Sequence, residues 1–170
     1  MKKILISMLV GLSLVTIAPS NNTKATANND TVKVEQLAKK KTTKKSKINK
    51  CVKAIENNLD TYFGEYAEYT VEHKKEGSVN FISVCITWKG IAEELVYCSI
   101  TNDFTEWDNL VSSMEYMNGT MQDYVDSQNV NAIVVCYVMN DAANKDDHKF
   151  LLETAFGVAT YNAKDDLTQD

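Results

Sequence analysis

The sequence contains no arginine, and all 18 of its basic residues are lysine. Arginine is the side chain best suited to bidentate recognition of phosphates and base edges, so its absence argues against a sequence-specific nucleic-acid reader. The formal net charge of -5 at pH 7 points the same way, because an acidic protein repels the phosphate backbone. No specific nucleic-acid partner is therefore expected.

The usual signatures of catalytic and metal sites are also missing. The sequence has no Gly-x-Ser-x-Gly, His-Glu-x-x-His or glycine-rich phosphate motif and no Cys-x-x-Cys pair. Its two histidines, His73 and His148, lie far apart along the chain, which argues against zinc. Because no set of residues has assignable catalytic roles, an enzyme is the less favoured class and no cofactor is expected.

The first 27 residues have the pattern of a secretory signal peptide. Lys2 and Lys3 precede an apolar run at 4–18, and small residues at Ala25 and Ala27 match a signal-peptidase site. The run is short for a membrane span, and no cysteine lies near the cleavage point to accept a lipid. We predict that this segment is removed, that the mature chain has no transmembrane segment, and that it is extracellular.

Charge is divided unevenly along the predicted mature chain. Residues 28–50 contain eight lysines and two carboxylates, a net charge of +6, whereas residues 51–170 contain seven lysines and 21 carboxylates, a net charge of -14. We predict that residues 28–45 form a lysine-rich disordered spacer, which either stays solvated and extended or binds an anionic cell-wall polymer. The lysines proposed for that contact are Lys39, Lys40, Lys41, Lys44 and Lys45.

Hydrophobic periodicity predicts the first half of the following domain. Apolar residues at three- and four-residue spacing indicate a helix over 46–63, and alternation indicates paired strands at 66–74 and 79–88. Residues 91–100 favour a short helix. A longer helix is predicted to begin at Thr105, acting as N-cap, and to carry a buried stripe ending at Val125.

The remaining residues predict strands. Residues 130–139 are apolar on both faces, which is typical of a central strand, and 150–155 and 158–161 flank a turn at Gly157. Residues 164–170 are predicted to be an acidic tail. The order of elements predicts a single α+β domain over 46–163. Its expected architecture is a two-layer sandwich with a mostly antiparallel sheet of four or five strands and two or three helices on one face.

A signal sequence and a lysine-rich spacer precede this domain, Trp107 stands at the start of its long helix, and its closing segment reads Leu151-Leu152 and then Gly157-Val158-Ala159-Thr160-Tyr161-Asn162-Ala163. In these features the chain resembles small secreted α+β proteins of low-GC Gram-positive bacteria, over roughly residues 45–163. The resemblance implies an α+β fold and a location outside a Gram-positive cell. It carries over no catalytic residues.

Four cysteines in an exported protein first suggest disulfides. Their spacing is not that of a disulfide framework, so most are predicted to be small buried hydrophobic residues. Cys85 and Cys136, both in the middle of predicted strands, are the pair that could form a bridge. A nucleophilic pair between a cysteine and His73 or His148 is the alternative that would make the protein an enzyme.

The loop after residue 139 is rich in oxygen ligands of the kind that calcium binds. The candidate ligands are Asp141, Asn144, Asp146 and Asp147. Their spacing departs from the usual calcium-binding loop, and Lys145 would oppose a cation, so a solvated connecting loop is the competing interpretation. A calcium-dependent adhesive module remains a second alternative function.

If helices cover one face of the sheet, the other face is where a ligand can bind. Alternation in the second strand places Phe81, Ser83, Cys85 and Thr87 on that other face, together with alternate residues of the central strand. We predict binding residues at Phe81, Thr87 and Tyr137. The favoured function is therefore a secreted, non-enzymatic binding module, associated with the cell wall through its lysine-rich arm or bound to a protein partner.

Overall fold

The protein is described by a computed structural model that covers residues 32–63, 66–142 and 149–168, with side chains from Lys47 onward except Tyr62. The predicted signal peptide and most of the loop proposed for calcium therefore lie outside the described residues. The described residues contain a five-stranded sheet and four helices, an α+β fold. The predicted fold class is confirmed.

Helix α1 (Val32–Phe63) begins well before the predicted start at residue 46. Most of the segment expected to be a disordered spacer is therefore helical in backbone. The physical reason is composition, because residues 32–63 contain no glycine or proline and contain nine lysines, and lysine is a strong helix former. The apolar stripe appears only further along, where Ile48, Cys51, Ile55, Leu59 and Phe63 are buried.

A hairpin and a short helix follow. Strands β1 (Glu68–Glu76) and β2 (Val79–Thr87) pair antiparallel around Gly77, whose φ of 57° suits a tight turn. Helix α2 (Ile91–Thr101) confirms the helical interpretation of that segment. At the end of the hairpin, the Trp88 ring packs edge-on against Phe63 at 5.6 Å between centroids, which joins α1 to the sheet.

Helix α3 (Thr105–Ser127) forms the main cover of the sheet. Its inner face contains Trp107, Leu110, Met114, Met117 and Met121, all buried, so the methionine stripe belongs to the core. The predicted N-cap at Thr105 is wrong by one position. Phe104 occupies the cap without a side-chain bond, and the carboxylate of Asp103 instead accepts the Thr105 N–H at 3.1 Å.

The chain then returns to the sheet through three strands. Strand β3 (Ile133–Met139) starts three residues later than predicted and lies parallel to β2, as a crossover through α2 and α3 permits. Strands β4 (Phe150–Ala155) and β5 (Val158–Asn162) continue the sheet antiparallel. The sheet order is therefore β1-β2-β3-β4-β5, mostly antiparallel as predicted.

The predicted acidic tail begins with a short helix, α4 (Lys164–Leu167), that is anchored to the domain. The Asn162 side-chain oxygen accepts hydrogen bonds from the Trp107 indole at 2.8 Å and from the Lys164 backbone at 3.1 Å. The Lys164 ammonium also lies 2.7 Å from Asp108. These contacts hold α4 beside the start of α3.

Two buried amides attach α3 to the sheet where β4 ends. The last β3–β4 pair is Val135 with Ala155, so the backbone of Val134 lies beyond it. Gln122 accepts the Val134 N–H at 2.8 Å, and Asn118 donates to the Val134 carbonyl at 2.9 Å. The amides supply hydrogen bonds where the β3–β4 pairing stops, as buried backbone groups require.

Candidate functional site

The two faces of the sheet differ sharply in exposure. On one face Ile82, Val84, Val134 and Cys136 are fully buried, because α1 and α3 pack there. We call the other face the open face. It displays alternate residues of every strand, and most of its residues are half-buried or exposed rather than fully buried. By register its members are Glu68, Thr70, Glu72, Lys74 and Glu76 of β1, Phe81, Ser83, Cys85 and Thr87 of β2, Ile133, Val135, Tyr137 and Met139 of β3, Phe150, Glu153 and Ala155 of β4, and Val158 and Tyr161 of β5.

The structure places all three sequence-predicted binding residues on this face. Phe81 lies beside Ile133, and Tyr137 lies beside Cys85. Thr87 occupies the opposite end of β2 from Phe81, six residues away, a separation of about 20 Å along a strand. The three therefore mark the extent of one surface and do not form one compact site.

A compact group does form around Tyr137. Glu153 is directly opposite Tyr137 across the β3–β4 pair, and Tyr161 is directly opposite Glu153 across the β4–β5 pair. The Phe150 ring lies between the two tyrosines, with its centroid 5.1 Å from Tyr137 and 5.4 Å from Tyr161. We call these four residues, Tyr137, Phe150, Glu153 and Tyr161, the aromatic–carboxylate cluster.

Two β-bulges explain why sequence reasoning found Tyr137 and missed the rest of the cluster. Leu151 is an extra residue in β4, so Phe150 and Glu153 share a face although strict alternation would separate them. Thr160 is an extra residue in β5. Tyr161 and Ala159 therefore lie on opposite faces of the sheet, although strict alternation would place them on the same face. Alternation is the signal that located Tyr137, and it fails wherever a bulge interrupts it.

Carboxylates dominate the electrostatics of the open face. Burial first, and then the negative charge of Glu153, raise the pKa of Tyr137. Burial and a 2.8 Å hydrogen bond to Asp166 raise the pKa of Tyr161 to about 12. The phenols therefore stay neutral at physiological pH.

The edge of the open face along β1 is also acidic. Glu68, Glu72 and Glu76 alternate there with Thr70 and Lys74. Lys74 is engaged by Glu72 at 3.2 Å, and both side chains are largely exposed. The apolar and aromatic part of the open face is therefore bordered along β1 by acidic side chains.

The residues proposed for wall binding and for calcium are only partly described. The backbone of α1 includes the five candidate lysines, whose side chains are outside the described part of the chain: Lys39, Lys40, Lys41, Lys44 and Lys45. The candidate calcium ligands Asn144, Asp146 and Asp147 lie entirely outside the described residues.

The fourth candidate calcium ligand, Asp141, is described, and its carboxylate accepts the N–H groups of Gly90 and, at 3.1 Å, Ala92. It therefore caps the start of α2, a role that the sequence did not suggest. Within the described ranges, no three His, Cys, Asp or Glu side chains converge in a way that could hold a metal ion.

The prediction that most of the cysteines are small buried residues is confirmed, because Cys51, Cys98 and Cys136 are buried, and all four thiols are free. The pair that could have formed a bridge, Cys85 and Cys136, does not form one. Cys85 lies on the open face and Cys136 lies on the covered face, because Cys136 is the register partner of Val84, the neighbour of Cys85 along β2.

The thiols also lack the environment of a nucleophile. Burial raises the pKa of Cys51, Cys85, Cys98 and Cys136, the last to about 11. A nucleophilic cysteine needs a lowered pKa. The imidazole of His73 contacts the side-chain oxygen of Asn80 at 3.2 Å, and His148 lies outside the described residues.

A second exposed apolar surface lies on α2. Val96, Tyr97 and Ile100 are all more than half exposed, with Ile100 at 79 %. The sequence run from 91 to 100 is apolar on every side, which could have indicated this surface. No helix in the described parts of the chain is long and apolar enough to cross a membrane.

Comparison with protein-family models, with curated proteins and with solved structures returned no match. The functional argument therefore depends on the chemistry of the residues described above.

Proposed function

We propose that this protein is a secreted, non-enzymatic binding module whose ligand docks on the open face of the sheet. One observation supports this proposal above the others. In the described part of the chain, α1 and α3 lie on the opposite face, and the open face keeps half-buried aromatic and aliphatic side chains at the surface. A contiguous apolar patch on a secreted monomer is a common mark of a binding surface.

The size of the patch suits a ligand larger than a single ion. Strands are spaced by about 4.8 Å, so five strands present a floor about 20 Å wide. Val135 and Ala155 lie at its centre with 8 % of their surface exposed. An apolar centre with an acidic β1 edge is the arrangement of an interface with a hydrophobic core and a polar rim.

We further propose that the lysine-rich segment at residues 28–50 holds the protein at an anionic cell-wall polymer. The segment has a net charge of +6, whereas the rest of the mature chain is acidic. Such a contact is electrostatic and weakens with salt, because the Debye length falls from about 10 Å at 0.1 M to about 3 Å at 1 M. Binding at the open face depends on apolar contact and should persist at high salt.

Co-sedimentation with purified Gram-positive cell envelope separates the contribution of the lysine-rich segment from that of the open face. The chain from residue 28 to 170 is compared at 0.15 M and 1 M salt with an arm variant and a face variant. The arm variant replaces the five candidate lysines by glutamine, and the face variant combines Phe81→Ala with Tyr137→Ser. Tyr97→Ala, an exposed aromatic on α2, is the matched control.

We expect the arm variant to lose the salt-sensitive part of the retention at 0.15 M salt and to resemble the wild type at 1 M salt. We expect the face variant to lose retention at 1 M salt and to keep at 0.15 M salt only the part that the lysines supply. The Tyr97→Ala control should behave like the wild type at both salts. Equal retention of all four proteins would overturn the proposal. Secretion is tested separately by sequencing the N-terminus of the protein recovered from the culture medium, where the predicted product begins at Asn28.

A further inference from the structure

We propose that the aromatic–carboxylate cluster binds an alkylammonium group, such as a quaternary ammonium or the end of a lysine side chain. This inference rests on the proposed function of the open face and names the chemical class of ligand that its most specific site would take. The cluster combines three aromatic rings with one carboxylate at a single position on the sheet.

The geometry of the rings favours a cation. Tyr137 and Phe150 are tilted by 57°, and Phe150 and Tyr161 are nearly perpendicular at 89°. All three rings are partly exposed, and the negative face of an aromatic ring attracts a cation within about 6 Å of its centroid. The same rings make good van der Waals contact with alkyl groups, but they cannot replace the water molecules that coordinate a small ion. Small hydrated ions such as sodium are therefore disfavoured.

The carboxylate supplies the charge. Glu153 lies between the two tyrosines in the strand register, and its Oε1 accepts a hydrogen bond from the Thr160 hydroxyl at 2.7 Å. That bond orients the carboxylate while leaving its other oxygen, Oε2, without a hydrogen-bond or ion-pair partner among the described residues. A carboxylate among aromatic rings that forms no ion pair with a lysine of the described residues is complementary to a positive ligand.

The surroundings argue against an anionic ligand. The β1 edge of the same face contains Glu68, Glu72 and Glu76, and the only lysine it contains is paired with Glu72. Burial is the main cause of the raised pKa of Tyr137, and the negative charges of Glu153 and Glu76 raise this pKa further, as expected where carboxylates surround the cluster. A phosphate or carboxylate ligand would be repelled there.

Glu153 has a competing role that the test must separate. A charged residue pointing out of an open sheet face discourages association between sheets. If that were its only role, removing the charge would promote self-association without changing the response of the cluster to ammonium compounds.

The test is a titration followed by NMR of the aromatic rings of the chain from residue 28 to 170. Choline chloride provides a quaternary ammonium, N-acetyl-lysine methylamide provides a lysine side chain, and 3,3-dimethylbutan-1-ol provides the uncharged analogue of choline with the same shape. Ionic strength is held constant with sodium chloride. The exposed ring of Tyr97 on α2 is the internal control.

We expect saturable shifts at Tyr137, Phe150 and Tyr161 with at least one of the two cations, weaker or absent shifts with the neutral analogue, and none at Tyr97. Glu153→Gln should weaken binding about tenfold and Tyr137→Leu about three- to fivefold, whereas Glu72→Gln on the same face should change it less than twofold. The two cation titrations show whether a free quaternary ammonium or a lysine side chain is preferred.

Equal shifts with choline and its neutral analogue, or binding unaffected by Glu153→Gln, would overturn the ammonium inference. If the cluster fails this test while the face variant still loses retention on cell envelope, the open face binds a ligand of another class. If the face variant also binds envelope normally, the proposed function itself fails.

Discussion

The buried side chain of Asn118 accepts a hydrogen bond from the backbone N–H of Gly157 at 2.7 Å, which ties the middle of α3 to the turn between β4 and β5. The same amide donates to the carbonyls of Val134 at 2.9 Å and Thr154 at 3.2 Å. One side chain therefore joins α3 to the ends of β3 and β4 and to the turn that follows them. That turn sets the register of the strands that hold Glu153 and Tyr161.

Replacing Asn118 by leucine should destabilise the fold by about 2–4 kcal/mol. Leucine has a similar volume but leaves the Gly157 N–H and two carbonyls buried without partners, and each such loss costs about 1–3 kcal/mol before relaxation. Urea unfolding monitored by far-UV circular dichroism measures the change. The control is Ser112→Ala on the exposed side of α3, which should change stability by less than about 0.5 kcal/mol. A neutral Asn118→Leu would show that the network does not stabilise the fold.

The turn itself depends on a glycine at residue 157. Gly157 has a φ of 75°, and a Cβ there would lie 3.4 Å from the Cα of Gly119 in α3. Gly157→Ala should therefore cost about 1–2 kcal/mol for the left-handed backbone, and more where the helix cannot move away.

The matched control for that substitution is Gly77→Ala. Gly77 has a similar positive φ of 57°, but no atom lies within 4 Å of its added Cβ. Both substitutions strain the backbone, and only Gly157→Ala also meets α3. Thermal unfolding of the two variants gives the contribution of the close contact by difference. Equal losses of stability in the two variants would mean that α3 moves away from the added methyl group at no cost in free energy.

How much of this architecture is readable from the sequence depends on whether local or distant residues decide it. The two faces of β2 and the methionine stripe of α3 follow from periodicity, because each element buries one side, whereas the α2 helix follows from the helix-favouring residues at 92–95. The start of α1 is not predicted by an apolar stripe, because the stripe begins only at Ile48 and the lysine-rich residues before it form a helix without one. The cap supplied by Asp141 was missed because that residue lies about 50 positions from the N–H groups that it binds.

The candidate site divides in the same way. Tyr137 is predictable because β3 alternates strictly, whereas Phe150 and Tyr161 reach the open face only through bulges at Leu151 and Thr160. A bulge depends on how two strands pair, which a single strand's sequence does not reveal. The sequence left a Cys85–Cys136 bridge open for a related reason, since strand adjacency alone does not determine which face a residue occupies.

The cap at α2 gives a further prediction. Asp141→Ala removes a carboxylate that accepts the N–H groups of Gly90 and Ala92, and it should destabilise the protein by about 1–2 kcal/mol. Asp141→Asn keeps one side-chain oxygen acceptor and should lose less. Asp123→Ala, an exposed carboxylate on α3, is the control and should be close to neutral. The three variants are compared by urea unfolding, and equal stability of Asp141→Ala and wild type would exclude the capping role.

The buried thiol of Cys136 should make stability fall at alkaline pH. Burial raises the pKa of Cys136 from about 9 to about 11 in the folded protein, so the unfolded chain ionises first as pH rises. The stabilisation is therefore fully present below pH 9 and is lost progressively between pH 9 and pH 11, by roughly 3 kcal/mol in total.

The measurement is urea unfolding between pH 7 and pH 10.5 under reducing conditions. Cys136→Ala should be less stable than the wild type at pH 7, because it leaves a small cavity, yet its stability should decline less steeply above pH 9. Cys85→Ala provides the comparison, since that thiol is only half-buried on the open face and its removal should flatten the decline less. Parallel pH profiles for wild type and Cys136→Ala would show that this thiol does not couple ionisation to unfolding.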